Sequence, residues 1–225
     1  MTKHYFHQSE NSVNDSSRGE FSDHIAKKGR EYRTETYDDT ESLYNLSVQK
    51  WEAKPLPNED PEKDRNFLFA SRSVQASYDG NEGYRATASE SDYDDWGNVI
   101  ASRDLGEVTL DDNAGNFTDI LEDRINQTIQ YAQNTDKYLY GFSSQSETTD
   151  FHENVIGRET RYYDQLPFGE VSFGNLTQKD QLLNASGELL TTKIEYDEHR
   201  IAHQIYQSAG IHVDRDVGLA SVFPT

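Results

Sequence analysis

Hydrophobic and polar residues alternate with a period of two in several separate stretches of the chain. From Val74 to Tyr78, apolar or aromatic side chains alternate with glutamine and serine. The same alternation occurs at 31–37, 46–49, 138–142, 190–196 and 201–205. A period of two is typical of a β-strand with one buried and one solvated face. The pattern therefore predicts an all-β chain of antiparallel strands.

Other parts of the chain depart from this alternation. Residues 1–23 are rich in serine, asparagine, aspartate and histidine, and we expect a poorly ordered N-terminal segment there. Residues 24–225 are expected to form one β-sheet segment without a clean domain boundary. The apolar spacing in Thr118–Asn126 indicates at most a short helix. Three prolines among acidic residues at 55–64 indicate an exposed loop.

The stretch from Tyr93 to Ile100 reads Tyr-Asp-Asp-Trp-Gly-Asn-Val-Ile and predicts a β-hairpin. The carboxylate of Asp94 can accept backbone N–H groups, and Gly97 can adopt a positive φ. A return strand can then begin after the turn. The architectural residues of this hairpin are Tyr93, Asp94, Trp96 and Gly97.

Further Tyr-Asp pairs predict more turns along the chain. The second and third candidate turns contain Tyr163, Asp164 and Gly169, and Tyr196 and Asp197. Shorter echoes are Tyr37-Asp38 and Tyr78-Asp79-Gly80. The spacing of these pairs is irregular, which argues against a strict solenoid period. Irregular hairpins fit better.

Two of these stretches carry a family resemblance. Tyr93 to Ile100 resembles the YD repeat of the Rhs family, and the stretch from Arg161 to Thr177 resembles a segment of the B component of toxin-complex (Tc) toxins. There a Tyr-Asp pair precedes a Leu-Pro turn ending in glycine, then a glycine and a Leu-Thr pair; here these are Leu166 to Gly169, Gly174 and Leu176-Thr177. Lys28 to Tyr37 and Val222 to Thr225 also resemble strands of that family.

The resemblance implies an architecture and a role. YD hairpins in this family form a curved antiparallel sheet that is part of a larger spiral shell. The chain would then be a non-enzymatic structural segment of a secreted toxin shell that encapsulates and helps deliver a toxic effector. Its implied partners are another shell component and the toxin cargo polypeptide. The chain is short for this family, so we expect a fragment or one module of a larger assembly.

An alternative function remains open. YD-repeat adhesion proteins suggest a carbohydrate- or cell-surface-binding β module. Exposed coplanar aromatic rings on one face would favour that function, whereas rings packed between neighbouring hairpins would favour the shell.

Composition and charge narrow the choice of partners. The 14 tyrosines and 2 tryptophans suit strands that keep one face wet. A net charge of -20 argues against nucleic acid as a partner. No stretch approaches the ~20 apolar residues needed to insert in a membrane. The resemblance implies a secreted, extracellular protein. Because the N-terminal residues lack an apolar signal region, we expect no signal peptide on this chain.

Candidate chemistry is sparse. The absence of cysteine excludes disulfides and thiolate metal sites. The acidic stretch Asp111–Asn116 resembles a calcium loop, but its glycine stands one place too early, which favours a solvated turn. His199 and His203 have the spacing of a zinc pair, but Arg200 stands where the metalloprotease pattern needs glutamate. We predict no enzyme activity, no catalytic residues, no cofactor and no metal site.

Overall fold

The computed structural model describes residues 1–8, 18–20, 23–56, 65–78, 83–183 and 187–211. The strands in these residues are β1 (Thr2–Phe6), β2 (Glu31–Tyr37), β3 (Leu43–Pro55), β4 (Asn66–Ser77), β5 (Arg85–Tyr93), β6 (Val99–Leu110), β7 (Phe117–Asp119), β8 (Ile125–Asn134), β9 (Leu139–Thr149), β10 (Val155–Tyr163), β11 (Leu176–Leu182), β12 (Glu188–Tyr196) and β13 (Ala202–Ile211). The helical segments Ile25–Lys27 and Thr135–Lys137 are short 3-10 turns. The prediction of an all-β fold of antiparallel strands is confirmed.

The chain divides into two compact units at a place where the sequence shows no boundary. Unit 1 contains Met1–Gln130 and Thr148–Asn154, and unit 2 contains Tyr131–Glu147 and Val155–Thr225. The division falls inside β8 and β9, not in a linker. No change in composition marks such a position, which is why a single segment was expected. Within the described residues, no helix is long and apolar enough to cross a membrane.

Unit 1 is an antiparallel meander in which β1, β2, β3, β4, β5, β6 and β8 pair in that order, with β7 against β6. Its core is a stripe of residues that lie opposite one another on adjacent strands. Val48 of β3 pairs with Val74 of β4, which pairs with Ala88 of β5. These three side chains are buried together with five others, Leu46, Ala76, Ala86, Leu105 and Val108. The apolar side chains of the alternation predicted in β4 thus face this core.

The core stripe is covered by backbone. A Cβ added to Gly115 would lie 3.0 Å from Val48, and one added to Gly19 would lie 2.6 Å from both Val48 and the carbonyl oxygen of Ala114. Glycine at these two positions therefore lets the chain approach the stripe closely.

The N-terminal residues differ from the expectation of poor order. β1 pairs with β2 through a register that joins Thr2 to Thr36 and Tyr5 to Arg33. Residues 9–17 and 21–22 of the predicted segment lie outside the described residues. β1 is too short for its alternation to stand out in the sequence. Its order comes from pairing with β2, about 30 residues later.

A buried carboxylate fixes β1 on β2. Glu35 accepts hydrogen bonds from the hydroxyls of Tyr5 and Tyr37, each at 2.7 Å, and from Nε of Arg33 at 2.6 Å. Burial raises the pKa of Glu35, but these hydrogen bonds outweigh it and the pKa is lowered. The hydrogen bond to Glu35 raises the pKa of Tyr37 to about 12. At neutral pH, Glu35 is therefore ionised and Tyr37 is protonated.

The marginal helix considered within Thr118–Asn126 does not form. Residues Phe117–Asp119 form β7, and Ile125 begins β8. Ile120 and Leu121 are 48% and 46% exposed, so this stretch has no buried apolar face. Short helices depend on such a face for most of their stability.

In unit 2, β10, β11, β12 and β13 pair antiparallel in that order. Its core contains Ala132, Tyr163 and Val171 as buried residues, with Leu139, Phe142 and Leu176 packed against them. Tyr138, which the alternation assigned to a strand, instead caps the 3-10 turn with φ 56. It is 81% exposed.

Candidate functional site

The predicted hairpin between β5 and β6 is closed by the side chain of Asp94. Its Oδ1 accepts the backbone N–H of Trp96 at 2.9 Å and that of Asn98 at 2.8 Å, while Oδ2 accepts the side-chain amide of Asn98 at 2.9 Å. The N–H of Asp94 donates to the carbonyl of Asn98 at 3.0 Å. Gly97 has φ 86, and the strand register shifts at Tyr93. We call this arrangement an aspartate-capped turn.

The same arrangement closes three other hairpins. Asp38, Asp150 and Asp197 each accept the backbone N–H groups two and four residues later on one carboxylate oxygen, at 2.8–2.9 Å. Each also donates its own N–H to the carbonyl four residues later, at 3.0 Å. The Tyr-Asp pairs at 37 and 196 therefore form turns of the same kind as the hairpin at 93. The echo at Asp79 and Gly80 lies outside the described residues.

The third residue after the aspartate has a positive φ in each of these turns. Glycine occupies this position only at Gly97; Glu41, Glu153 and Arg200 adopt φ of 62 to 63 without it. Such a conformation costs a non-glycine residue about 1–2 kcal/mol. The hydrogen bonds to the aspartate offset that strain.

The stretch considered as a calcium loop is a variant of this turn. Oδ1 of Asp112 accepts the N–H groups of Ala114 at 2.8 Å and Asn116 at 3.1 Å, and Oδ2 accepts the side chain of Asn116 at 2.7 Å. The closing backbone hydrogen bond comes from Asp111 instead of Asp112. Both carboxylate oxygens of Asp112 therefore accept hydrogen bonds from N–H groups of its own turn.

The turn carboxylates stay ionised at neutral pH where a shift is resolved. Hydrogen bonds from Asn154 lower the pKa of Asp150, and those from Thr40 and Ser42 lower the pKa of Asp38. An ionised carboxylate accepts N–H bonds more strongly than a neutral one. The negative charge of each aspartate therefore strengthens the hydrogen bonds that close its turn.

Asp164 caps a longer connection in a different way. Its Oδ2 accepts the backbone N–H groups of Ser172 at 2.8 Å, Phe173 at 2.7 Å and Gly174 at 3.0 Å, and Oδ1 accepts that of Asn175 at 3.0 Å. Burial raises the pKa of Asp164, but the four N–H bonds outweigh it and the pKa is lowered. One side chain thus binds residues 172–175, the second part of the connection between β10 and β11.

The tyrosines at 93, 163 and 196 reach back to the preceding strand. The hydroxyl of Tyr163 donates to the carbonyl of Ser143 in β9 at 2.8 Å, and that of Tyr196 donates to the carbonyl of Leu176 in β11 at 2.9 Å. The ring of Tyr93 packs on Phe69 of β4, with centroids 4.7 Å apart. Tyrosine therefore ties a hairpin to its neighbour, and aspartate closes the hairpin.

The remaining predicted residues have distinct surroundings. Gly169 has φ 85 in open space, and its carbonyl accepts the N–H of Gln133 at 3.1 Å. Gly174 has φ 91, and a Cβ there would lie 2.3 Å from Cε1 of Phe142. Trp96 is 48% exposed at the tip of its turn and lies outside both cores.

Sequence reasoning missed two features of these turns. The Asp150 turn was not predicted because threonine, not tyrosine, precedes its aspartate. An asparagine four residues after the aspartate is the shared signal, and it occurs at Asp94, Asp112 and Asp150. The close contact of Gly174 with Phe142 depends on a fold that the sequence pattern does not specify.

The comparisons with known proteins give a structural match alone. No protein-family model matches the chain, and no curated protein matches it. Among solved structures, the chain is similar to one in the crystal structure of TcdB2-TccC3-Cdc42, with a TM-score of 0.56 and 10% sequence identity. The chain has a Tc-toxin-like fold. The match covers 88% of this chain and 13% of that one, so the likeness concerns a segment of a much longer protein.

Proposed function

We propose that this chain is a non-enzymatic wall segment of a secreted toxin shell, which encapsulates a toxic effector polypeptide and helps to deliver it. The observation that carries this proposal is the Tc-toxin-like fold over 88% of the chain. The aspartate-capped turns and their tyrosines are the YD hairpins of this wall. The residues Tyr93, Asp94, Gly97, Tyr163, Asp164, Gly169, Tyr196 and Asp197 are architectural in this role, and Trp96 lies exposed at a turn tip.

The packing of the aromatic rings supports a wall over a binding module. The planes of Tyr93 and Phe69 meet at 42°, and those of Tyr163 and Phe142 meet at 75°. In both pairs the rings come from neighbouring strands. A carbohydrate-binding face would instead need coplanar exposed rings. The ring contacts thus favour hairpins that hold one another in a layer.

The proposed partners follow from this role. They are another shell component and the toxin cargo polypeptide, and the crystal structure that shares the fold is itself a complex of several polypeptides. The net charge of -20 does not suit nucleic acid. The proposed role places the protein outside the cell that makes it.

The experiment that tests this function is protease protection. The chain is co-expressed with the polypeptides encoded beside it, the assembly is purified through a tag on this chain, and protease digestion of the cargo is followed over time. We expect co-purification of cargo and slow digestion. Asp164→Ala should speed digestion by opening the 164–175 connection, whereas Glu198→Ala, which removes the charge of a side chain that is 87% exposed, should not.

Two results would count against the proposal. One is cargo that is digested equally fast with and without this chain. The other is a chain that purifies alone and binds immobilised glycans, which would restore the binding module.

A further inference from the structure

A buried histidine and two acidic side chains meet in unit 1. His7 directly follows β1, and Glu20 and Asp23 lie in the connection between β1 and β2. One ligand atom from each residue lies within 4.8 Å of the other two. Nδ1 of His7 is 3.2 Å from Oδ1 of Asp23, and both side chains have 0% exposure.

The ring of His7 is held in place by its backbone and by an aromatic neighbour. Its backbone N–H donates to the carbonyl of Arg30 and its carbonyl accepts the N–H of Gly29, both at 2.9 Å. The ring packs 5.0 Å from that of Tyr32. Both ring nitrogens are buried, and among the described residues neither makes a hydrogen bond of full geometry, although Nδ1 pairs with Oδ1 of Asp23 at 3.2 Å. Buried polar groups in this condition are rare and point to an unfilled role.

We propose that His7, Glu20 and Asp23 form a binding site for a divalent transition-metal ion, with Zn²⁺ as the best fit. Imidazole nitrogen and carboxylate oxygen are both ligand types that zinc binds, and three protein ligands leave a further position for water. Zinc–ligand bonds of about 2.0–2.2 Å place tetrahedral ligand atoms about 3.3–3.6 Å apart, so small side-chain shifts close the site. Calcium needs six to eight oxygen ligands and fits this set poorly.

A buried lysine next to His7 and Asp23 would compete with the metal ion. Lys27 is 5% exposed, and its ammonium group interacts with both His7 and Asp23. The charges next to Lys27 in turn are Lys50 and Glu52. Because Lys27 opposes a second cation, its replacement by methionine should tighten metal binding.

The test uses the full chain, freed of metal with a chelator and titrated with Zn²⁺ by calorimetry and by thermal unfolding. We expect one Zn²⁺ per chain and a rise in Tm. His7→Gln and Glu20→Gln should each weaken binding by at least about tenfold. Lys27→Met should strengthen it. The control is His152→Gln, which removes a histidine whose side chain is 64% exposed and should bind as the wild type does.

Each outcome decides for or against the site. Absence of zinc binding by the wild type, or wild-type affinity in Glu20→Gln, overturns the proposal. Loss of binding in His152→Gln also overturns it, because the ion would then lie on the surface. If His7→Gln does not fold, Glu20→Gln alone decides. The site is independent of the proposed shell function, so either can fail without the other.

Discussion

Replacing Asp164 by alanine removes a carboxylate that accepts several backbone hydrogen bonds in the 164–175 connection. Four backbone N–H groups, those of residues 172–175, donate to this carboxylate. Alanine leaves all four without their partner. We therefore expect Asp164→Ala to destabilise unit 2 more than any other loss of a surface charge there.

The size of the effect follows from the hydrogen bonds and from solvent access. A hydrogen bond to a charged group contributes about 1.5–3 kcal/mol when it is buried. Asp164 is half-buried and Phe173 is exposed, so water can replace some of the lost bonds. We expect a loss of about 2–4 kcal/mol in the free energy of unfolding.

The pH dependence of this loss has a definite sign. The pKa of Asp164 is below its ordinary value of 3.8 in the folded chain. Its contribution is therefore present above pH 3.8 and disappears as the pH falls through the lower, folded pKa. The difference between wild type and Asp164→Ala should shrink under those acid conditions.

The assay combines denaturant unfolding with hydrogen exchange. Both tryptophans, Trp51 and Trp96, belong to unit 1, so far-UV circular dichroism and exchange of the amides at 172–175 must report on unit 2. Glu198→Ala is the control for loss of a charge. The reasoning is refuted if Asp164→Ala lies within about 0.5 kcal/mol of this control and the amides at 172–175 keep their protection.

Further substitutions test other contacts. Gly174→Ala should destabilise unit 2 by more than Gly169→Ala in chemical denaturation. Both glycines have positive φ, but only a Cβ at Gly174 would collide with the ring of Phe142. Equal effects would contradict this close packing. Tyr37 has its pKa raised from 10.0 to about 12, so its stabilisation is present below pH 10.0 and is lost as the pH rises towards 12. Tyr37→Phe should flatten the alkaline loss in a pH series of Tm, and an unchanged alkaline limb would contradict this. Glu153→Gly should stabilise unit 1 by up to about 1 kcal/mol in urea unfolding followed by tryptophan fluorescence, because Glu153 has φ 63; a loss of stability would argue against the strain.

Local signals made much of the fold predictable. The alternation at Val74 and Ala76 specifies which face of β4 is buried, and both side chains are 3% exposed or less. The Asp94-to-Asn98 stretch contains its own acceptor, its own positive-φ glycine and its own amide donor. Such features act over a few residues, so a sequence pattern can identify them.

Other features depend on contacts between distant residues and were not predictable. β1 is ordered because Tyr5 donates to Glu35, which is 30 residues away. His7 meets Glu20 and Asp23 at spacings that match no metal motif, which is why no metal site was expected. The division of the chain falls within β8 and β9, where the strand pattern is uninterrupted.

Electron cryomicroscopy of the co-expressed assembly tests the proposed role most directly. If the chain is a shell segment, its strands will lie in a wall built from consecutive hairpins, with the turns at Asp94, Asp164 and Asp197 closed as described and with cargo density on one side. An assembly that encloses the cargo without this chain in its wall would contradict the proposal.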